Sequence, residues 1–359
     1  MSLDHLALLQ RRDIPMADWN AAADIFPNAW LWHRAEAIEA YASWPNNSDC
    51  SFAIVDQASG GQIVAILPLL RSRSHRLLSR LESTGGLATA DNQSPRQIRN
   101  IEVAARNHLL NIARRFNAHR VDLSLSPLAP RHILAECPPV NPLIMLGCQE
   151  ASTQSWIVDL RGTTDDVLWQ RVDQRVRKSV KKARAASVTI REATAMDLPA
   201  YLQLHAENCR RNGLPQKPPE YFKSIFETFG QQAMALILAA IDATGSPIAF
   251  HAFAIYKRAA LYWTVASSQQ ALLCGANDLV QWEALRQFRA RGVDFYETGE
   301  AFPALHDSKL KRISDFKKGF GGRLHPYFRG TIITRPILSA GLDLARALRA
   351  AYTANSDEH

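Results

Sequence analysis

Lysine is missing from the first 150 of the 359 residues, although the chain as a whole is basic, with 42 Lys+Arg against 34 Asp+Glu and a formal net charge of +8. Those 150 residues hold 14 arginines and 14 acids, so the entire surplus lies in residues 151–359. An anionic partner is therefore to be sought in the second half. Cysteine is scarce: Cys50, Cys137, Cys148, Cys209 and Cys274 are odd in number and show no C-x-x-C spacing. That pattern points away from a disulfide framework and from a zinc or other metal site, and fits idle thiols in a reducing cytoplasm. No run of 18 apolar residues occurs, so no transmembrane helix is expected. The opening stretch MSLDHLALLQRRDIPMADW lacks the apolar core and small-residue cleavage site of a signal peptide, and a cytoplasmic location is expected. The 17 glycines and 18 prolines have no period, which excludes collagen-like and low-complexity classes. The nucleophile elbow, the Walker loop and the dinucleotide fingerprint are missing as well.

What is present is an ordinary globular composition, 47% hydrophobic and 21% charged, sufficient for one large domain or two. Residues 18–43 read as helical with a turn at Phe26-Pro27-Asn28. Ser51–Val55 and Ile63–Leu70 form a hairpin across a Gly-Gly turn, Ser79–Ser83 a strand, Arg96–Asn117 a long helix and Val121–Leu125 another strand. Ser126–Gly147, with five prolines, reads as a connector outside the core. A second unit starts with strand Ser155–Leu160 and a helix capped by Thr163, with Asp166 in the box position, running through Val172 into the basic stretch Arg175–Ala186. Strand Val188–Glu192, a helix from Asp197 to Arg211 and another from Pro218-Pro219 follow. The apolar runs Met234–Ile241, Pro247–Tyr256 and Ala259–Ser267 predict an antiparallel meander. Then come helix Gly275–Arg291, strands Val293–Thr298 and Phe328–Ile333, and a terminal helix Leu338–Tyr352 before a loose tail. The order of elements is used twice, giving a mixed α+β fold class.

Three constellations can carry chemistry. Gln170–Arg184 holds seven basic residues and one acid, with Val172, Val176 and Val180 as an apolar seam. It is either a solvated basic helix or a collar for phosphates, with Arg175 and Lys178 on the open faces. Ser267–Asn277 brings small residues to a helix N-terminus, whose free N–H groups can hold a phosphate or carboxylate. With a single glycine and no match to a known phosphate loop, a plain strand-to-helix loop is the reading it favours. Lys309–Gly322 mixes lysines with aromatics and glycines, fitting close approach to an oxyanion or phosphate.

In order, Arg-Val-Arg-Lys-Ser-Val-Lys-Lys-Ala, Gly-Ala-Asn-Asp-Leu-Val-Gln-Trp-Glu-Ala-Leu, Phe-Tyr-Glu-Thr-Gly-Glu and Ile-Ser-Asp-Phe-Lys-Lys-Gly-Phe-Gly-Gly resemble the FemAB-like branch of the GNAT acyltransferase superfamily, specifically over about residues 155–330. The resemblance implies two tandem GNAT-like domains, each a largely antiparallel twisted sheet flanked by helices: residues 1–150 on the acceptor side, 151–336 on the donor side, and 337–359 as a C-terminal helix and tail. It also implies transfer of an acyl group from acyl-CoA, or of an aminoacyl group from charged tRNA, onto an amine, with Lys317 near the reacting carbonyl. Glu297 and Glu300, flanking Gly299, are candidates for the base or for holding the substrate amine; solvated acids at a strand end are the alternative. His251 competes as a base with a satisfied core histidine. Tyr262 and Tyr296 could return a proton, and neither is assigned that role.

The expected donor contacts are Val265, Gly275, Ala276, Asn277 and Lys318, with Arg175, Lys178, His205 and Asn208 on the substrate side. No metal is expected. The chain lacks the charged helical hairpin of some tRNA-using peptidoglycan relatives, and Gly299–Ser308 departs from their glycine pair. The leading expectation is therefore acyl-CoA, acetyl-CoA first, with an amino-sugar or amino-acid acceptor, in cell-surface polysaccharide synthesis. The alternatives are aminoacyl-tRNA transfer, against which the absence of aromatics in Arg171–Arg191 counts, and a non-catalytic RNA- or anion-binding module. A DNA partner is not expected.

Overall fold

The computed structural model describes residues 5–75, 78–302, 309–342 and 344. The first half runs β1 (Leu6–Gln10), α1 (Met16–Ile25), α2 (Ala35–Ala42), β2 (Asn47–Asp49), β3 (Phe52–Asp56), β4 (Gln62–Leu67), β5 (Leu70–His75), β6 (Leu78–Ser83), β7 (Ala88–Thr89), α3 (Pro95–Arg115), β8 (Ala118–Ser124) and β9 (Gln149–Glu150). Helix α3 is set by its sequence: Ser94 and Gln97 form a reciprocal capping box and Pro95 occupies the first turn. Its buried stripe Ile101, Ala105, Leu109 and Ala113 repeats at four residues.

The second half runs β10 (Thr153–Asp159), α4 (Asp165–Arg171), α5 (Gln174–Ala185), β11 (Thr189–Glu192), α6 (Leu198–Asn212), α7 (Pro219–Ser224), β12 (Ala235–Ile241), β13 (Pro247–Tyr256), β14 (Ala259–Ser267), α8 (Gln269–Cys274), α9 (Ala276–Ala290), β15 (Phe295–Ala301), α10 (Lys309–Lys318), β16 (Arg323–Tyr327) and β17 (Arg329–Ile333). Seven of its eight strands form one sheet in the order β11-β12-β13-β14-β15-β10-β16, antiparallel except for the β14–β15 pair. One face packs on α4, α5 and α9 through Val158, Val176, Val180, Leu285 and Phe288. The other packs on α6, α7 and residues of the first half, among them Trp30, Trp32, Leu128 and Ile133.

Several expectations require correction. The connector Ser126–Gly147 contributes Leu128, Ala129, Ile133, Leu143 and Leu146 to the cores; its prolines break regular structure without expelling it from the interior. Thr164, not Thr163, caps α4 by accepting from the Val167 N–H, while the Thr163 hydroxyl bonds Leu160 O. Asp166 accordingly lies outside the box position. Helices α4 and α5 do not run together: Val172 and Asp173 are extended, and the Asp173 N–H is taken by Gly319 O at 2.9 Å. The seam Val172, Val176 and Val180 is nonetheless buried. The strand expected at Phe328–Ile333 leaves the second-half sheet and inserts between β8 and β9 of a first-half sheet, where Phe328 joins that core. The expected helix Leu338–Tyr352 lies largely outside the described residues.

Candidate functional site

Strand β15 carries Phe-Tyr-Glu-Thr-Gly-Glu-Ala. In a regular strand Glu297 and Glu300, three apart, would point to opposite faces. The register against β10 breaks between them: Glu297 sits opposite Ile157, and Glu300 opposite Ser155. Ile157 and Ser155 share a face, so the bulge turns both carboxylates to one side of the sheet. Gly299 permits this with φ at +109°. A Cβ at Gly299 would stand 2.9 Å from the Lys317 Nζ, so the glycine also makes room for the lysine.

Helix α10 delivers that lysine. Phe316 packs against the core and edge-on to Phe320 at 5.1 Å, and the Trp156 indole N–H donates to Ser314 Oγ at 3.2 Å. Anchored so, α10 lays Lys317 over the bulge, where its ammonium donates to Glu300 O at 2.9 Å and the Thr298 hydroxyl donates to Lys317 O at 3.3 Å. Glu297 is buried, and the Ser155 hydroxyl donates to its Oε1 at 2.5 Å. Burial pushes its carboxyl up to about 7, against the opposing pull of Ser155, Lys317 and Arg329. Burial also lowers the Lys317 ammonium, which Glu297 and Glu300 partly restore. Glu300 is held by a two-pronged Arg329 contact at 2.9 and 3.0 Å. The structure thus brings together Lys317, Glu297 and Glu300. It adds Ser155 and Arg329, which the sequence reading missed because a serine or arginine within a strand looks like ordinary polar alternation.

The bulge lies beside an opening. β14 and β15 pair only over Ala259–Leu261 and Phe295–Glu297, after which β14 runs on to Ser267 and β15 stays paired with β10 alone. Glu297 stands where the two strands part. Half-buried Val265 lies on the stretch of β14 beyond the parting. At the far end of that strand α9 begins without a side-chain cap: Gly275 takes φ +82°, and a Cβ there would meet Ser179 O of α5 at 2.7 Å. Ala276 is fully buried in the first turn. Asp278 in the same turn is pushed up to about 6 by burial, against its partner Arg175 at 3.3 Å. Arg175 also lies 5.9 Å over the Phe316 ring. Lys178 and Lys318 are exposed.

The other sequence candidates lie elsewhere. His251 is on the opposite face of the sheet from Glu297, stacked on Tyr262 at 5.1 Å. The Gln281 amide donates to its Nδ1 at 3.0 Å, so Nε2 carries the proton and donates to Asn277 Oδ1 at 3.0 Å. Burial lowers its pKa to about 4. Asn277 is therefore engaged with His251, and Tyr296 donates to Gln281 in the same buried chain. His205 packs on Tyr201 and Phe222 and accepts the Lys217 N–H at 3.2 Å, while Asn208 Oδ1 accepts from Arg211. No group of three or more metal-capable side chains occurs among the described residues.

Residues 145–246 match the FemAB family. The crystal structure of FemX superposes with a TM-score of 0.68 at 14% identity, covering 92% of this chain and 98% of that one. This is a FemAB-like GNAT fold. A tandem GNAT protein from the clavulanic acid biosynthesis pathway has a TM-score of 0.55 at 14% identity, covering 92% and 98%. The Saccharomyces cerevisiae N-myristoyltransferase with bound myristoyl-CoA has 0.53 at 10%, covering 93% and 80%. No curated protein matches by sequence. Within the FemAB-like fold, the parting of β14 from β15 and the Phe316-Lys317 helix both lie in the second half. No helix among the described residues is long and apolar enough to cross a membrane.

Proposed function

We propose that the protein is an N-acyltransferase that moves an acyl group from acyl-CoA to the amine of an amino sugar or amino acid. The observation that carries this reading is Glu297: a buried carboxyl near 7, beside Lys317, at the point where β14 and β15 part. A general base works best with its pKa near the working pH. Glu297 takes a proton from the acceptor amine as nitrogen attacks the thioester carbonyl and the C–N bond forms. The oxygen gains negative charge, which the Lys317 ammonium, having N–H donors beyond the one given to Glu300 O, stabilises. Collapse breaks the C–S bond, and the thiolate leaves with the proton held by Glu297, giving amide and free thiol. No covalent enzyme intermediate is required.

The open edge of β14 offers backbone groups to an extended donor, and exposed Lys178, Lys181 and Lys182 on neighbouring α5 supply positive charge for its phosphates. The same lysines support a second reading, aminoacyl-tRNA as donor. Acetyl-CoA, a long-chain acyl-CoA and charged tRNA are to be compared by thermal shift, since a ligand of the native state raises Tm. Stabilisation by a CoA thioester is expected. No response to any CoA, with salt-sensitive stabilisation by tRNA, replaces the leading reading with the second.

A further inference from the structure

Strands β16 and β17 are separated by a single residue, yet they belong to different sheets. Tyr327 ends β16 opposite Thr153 in the seven-stranded sheet, Phe328 is buried in the first-half core, and Arg329 begins β17 opposite Ser124 of β8. The Arg329 backbone is fixed on the first-half side of this crossing. Its carbonyl accepts from the Asn141 amide at 2.8 Å and from the Ala151 N–H at 3.1 Å, and its own N–H donates to Ser152 Oγ at 3.3 Å. The side chain then returns to the other half. Its guanidinium lies 4.4 Å over the Tyr327 ring and forks onto both carboxylate oxygens of Glu300. A stacked, two-pronged contact of this kind uses the planar fork of an arginine, which an ammonium cannot reproduce.

The fork also keeps two other groups apart. The Lys317 ammonium donates to the main-chain oxygen of Glu300 at 2.9 Å, not to the carboxylate of that residue. The carboxyl groups acting on this ammonium are Glu297 and Glu300, both on β15. An ionised carboxylate is a stronger acceptor for an ammonium than a carbonyl, because the hydrogen bond then joins opposite charges. Released from Arg329, the Glu300 carboxylate is free to turn onto Lys317, where it would take up the remaining N–H donors and offset the positive charge. A lysine paired in that way has less to give to a developing oxyanion.

We infer that Arg329 is a positioning residue: by holding the Glu300 carboxylate it keeps Lys317 out of an ion pair, and because its backbone belongs to the first-half sheet it makes the second-half site depend on the first half. Its effect on turnover rests on the acyltransferase reading, whereas its effect on Lys317 stands apart from that reading.

Two readouts test this on the full chain. The first needs no substrate: labelling of the Lys317 amine by acetic anhydride, followed against pH by peptide mass spectrometry, gives the pKa of that lysine in the folded protein. In Arg329→Ala it should rise by about one pH unit, because the freed carboxylate moves onto the ammonium. In Arg329→Ala/Glu300→Gln it should return to the wild-type value or below it. No rise in the single variant, or a rise that persists in the double variant, overturns the inference. Where Arg329→Ala does not fold, Arg329→Gln keeps the hydrogen-bonding length without the charge and carries the same expectation. The second readout is turnover. Arg329→Ala should lose about 10²-fold, and the double variant should run about tenfold faster than the single one. Damage to the fold alone gives no reason for a second substitution to restore rate, so a double variant no faster than Arg329→Ala overturns the positioning role. The expected shifts at Lys317, together with no acylation of any amine by the wild type, leave the hold on Lys317 standing and remove the acyltransferase reading.

Discussion

The two faces of the seven-stranded sheet each bury a polar network, and they differ in what is left over. On the face toward α9, His251, Gln281, Asn277 and Tyr296 form a chain in which both imidazole nitrogens are taken by amides. On the other face, Glu297 has one hydrogen bond, from Ser155, with Lys317 and Arg329 close enough to pull on its charge. Burial drives both groups toward neutrality, His251 to about 4 and Glu297 to about 7. A shifted pKa by itself therefore does not mark a residue as reactive. What separates them is the partner set: the first network is closed, and the second keeps a carboxylate oxygen and ammonium hydrogens available at an opening in the sheet.

The comparison can be broken in four ways. The largest effect is expected for Glu297→Gln, which keeps the shape and removes the proposed base: turnover should fall by about 10²–10⁴-fold, and the rise in kcat/KM through about pH 7 should disappear from the pH profile. Lys317→Ala should cost about 10²–10³-fold in turnover with the Tm nearly unchanged, as steady-state rates and thermal melts would show. Wild-type turnover in that variant removes Lys317 from the chemistry. On the opposite face, His251→Ala should reverse the pattern. Stability measured by urea unfolding should drop by about 2–4 kcal/mol, because Gln281 and Asn277 lose a buried partner, while turnover per folded molecule stays within about threefold.

The fourth effect is pH-dependent and close in size to the third. Glu297 has a folded pKa above its ordinary 4.5, so its protonated form favours the fold below about pH 4.5, and that contribution is lost as pH rises through about 7. Glu297→Gln escapes this loss. Relative to wild type it should gain about 3 kcal/mol of stability across that interval and hold the gain above pH 7, as unfolding at several pH values would reveal. A constant difference from pH 4 to 8 would mean that Glu297 titrates normally.

Much of the architecture was legible from the chain. The meander β12–β14 and the long helix α3 follow from local patterns, and both formed where the sequence placed them. The valine seam of the basic helix was legible for the same reason, since helical period alone dictates which side is buried. The candidate site residues divide less evenly. Glu297, Glu300 and Lys317 stood out in the sequence, but their meeting depends on a bulge whose only trace is Gly299, one glycine among 17.

By itself, the sequence determined the kinds of element, the confinement of excess positive charge to the second half and the short stretches in which the candidate site residues lie. Periodicity, capping and composition act over a few residues, so a linear reading captures them. The tertiary structure alone decided that β17 returns to the first-half sheet, that His251 faces away from Glu297, and that two basic segments more than a hundred residues apart meet at Asp173 and Gly319. Each of these is a matter of register or long-range pairing, where a shift of one residue changes the face on which a side chain appears.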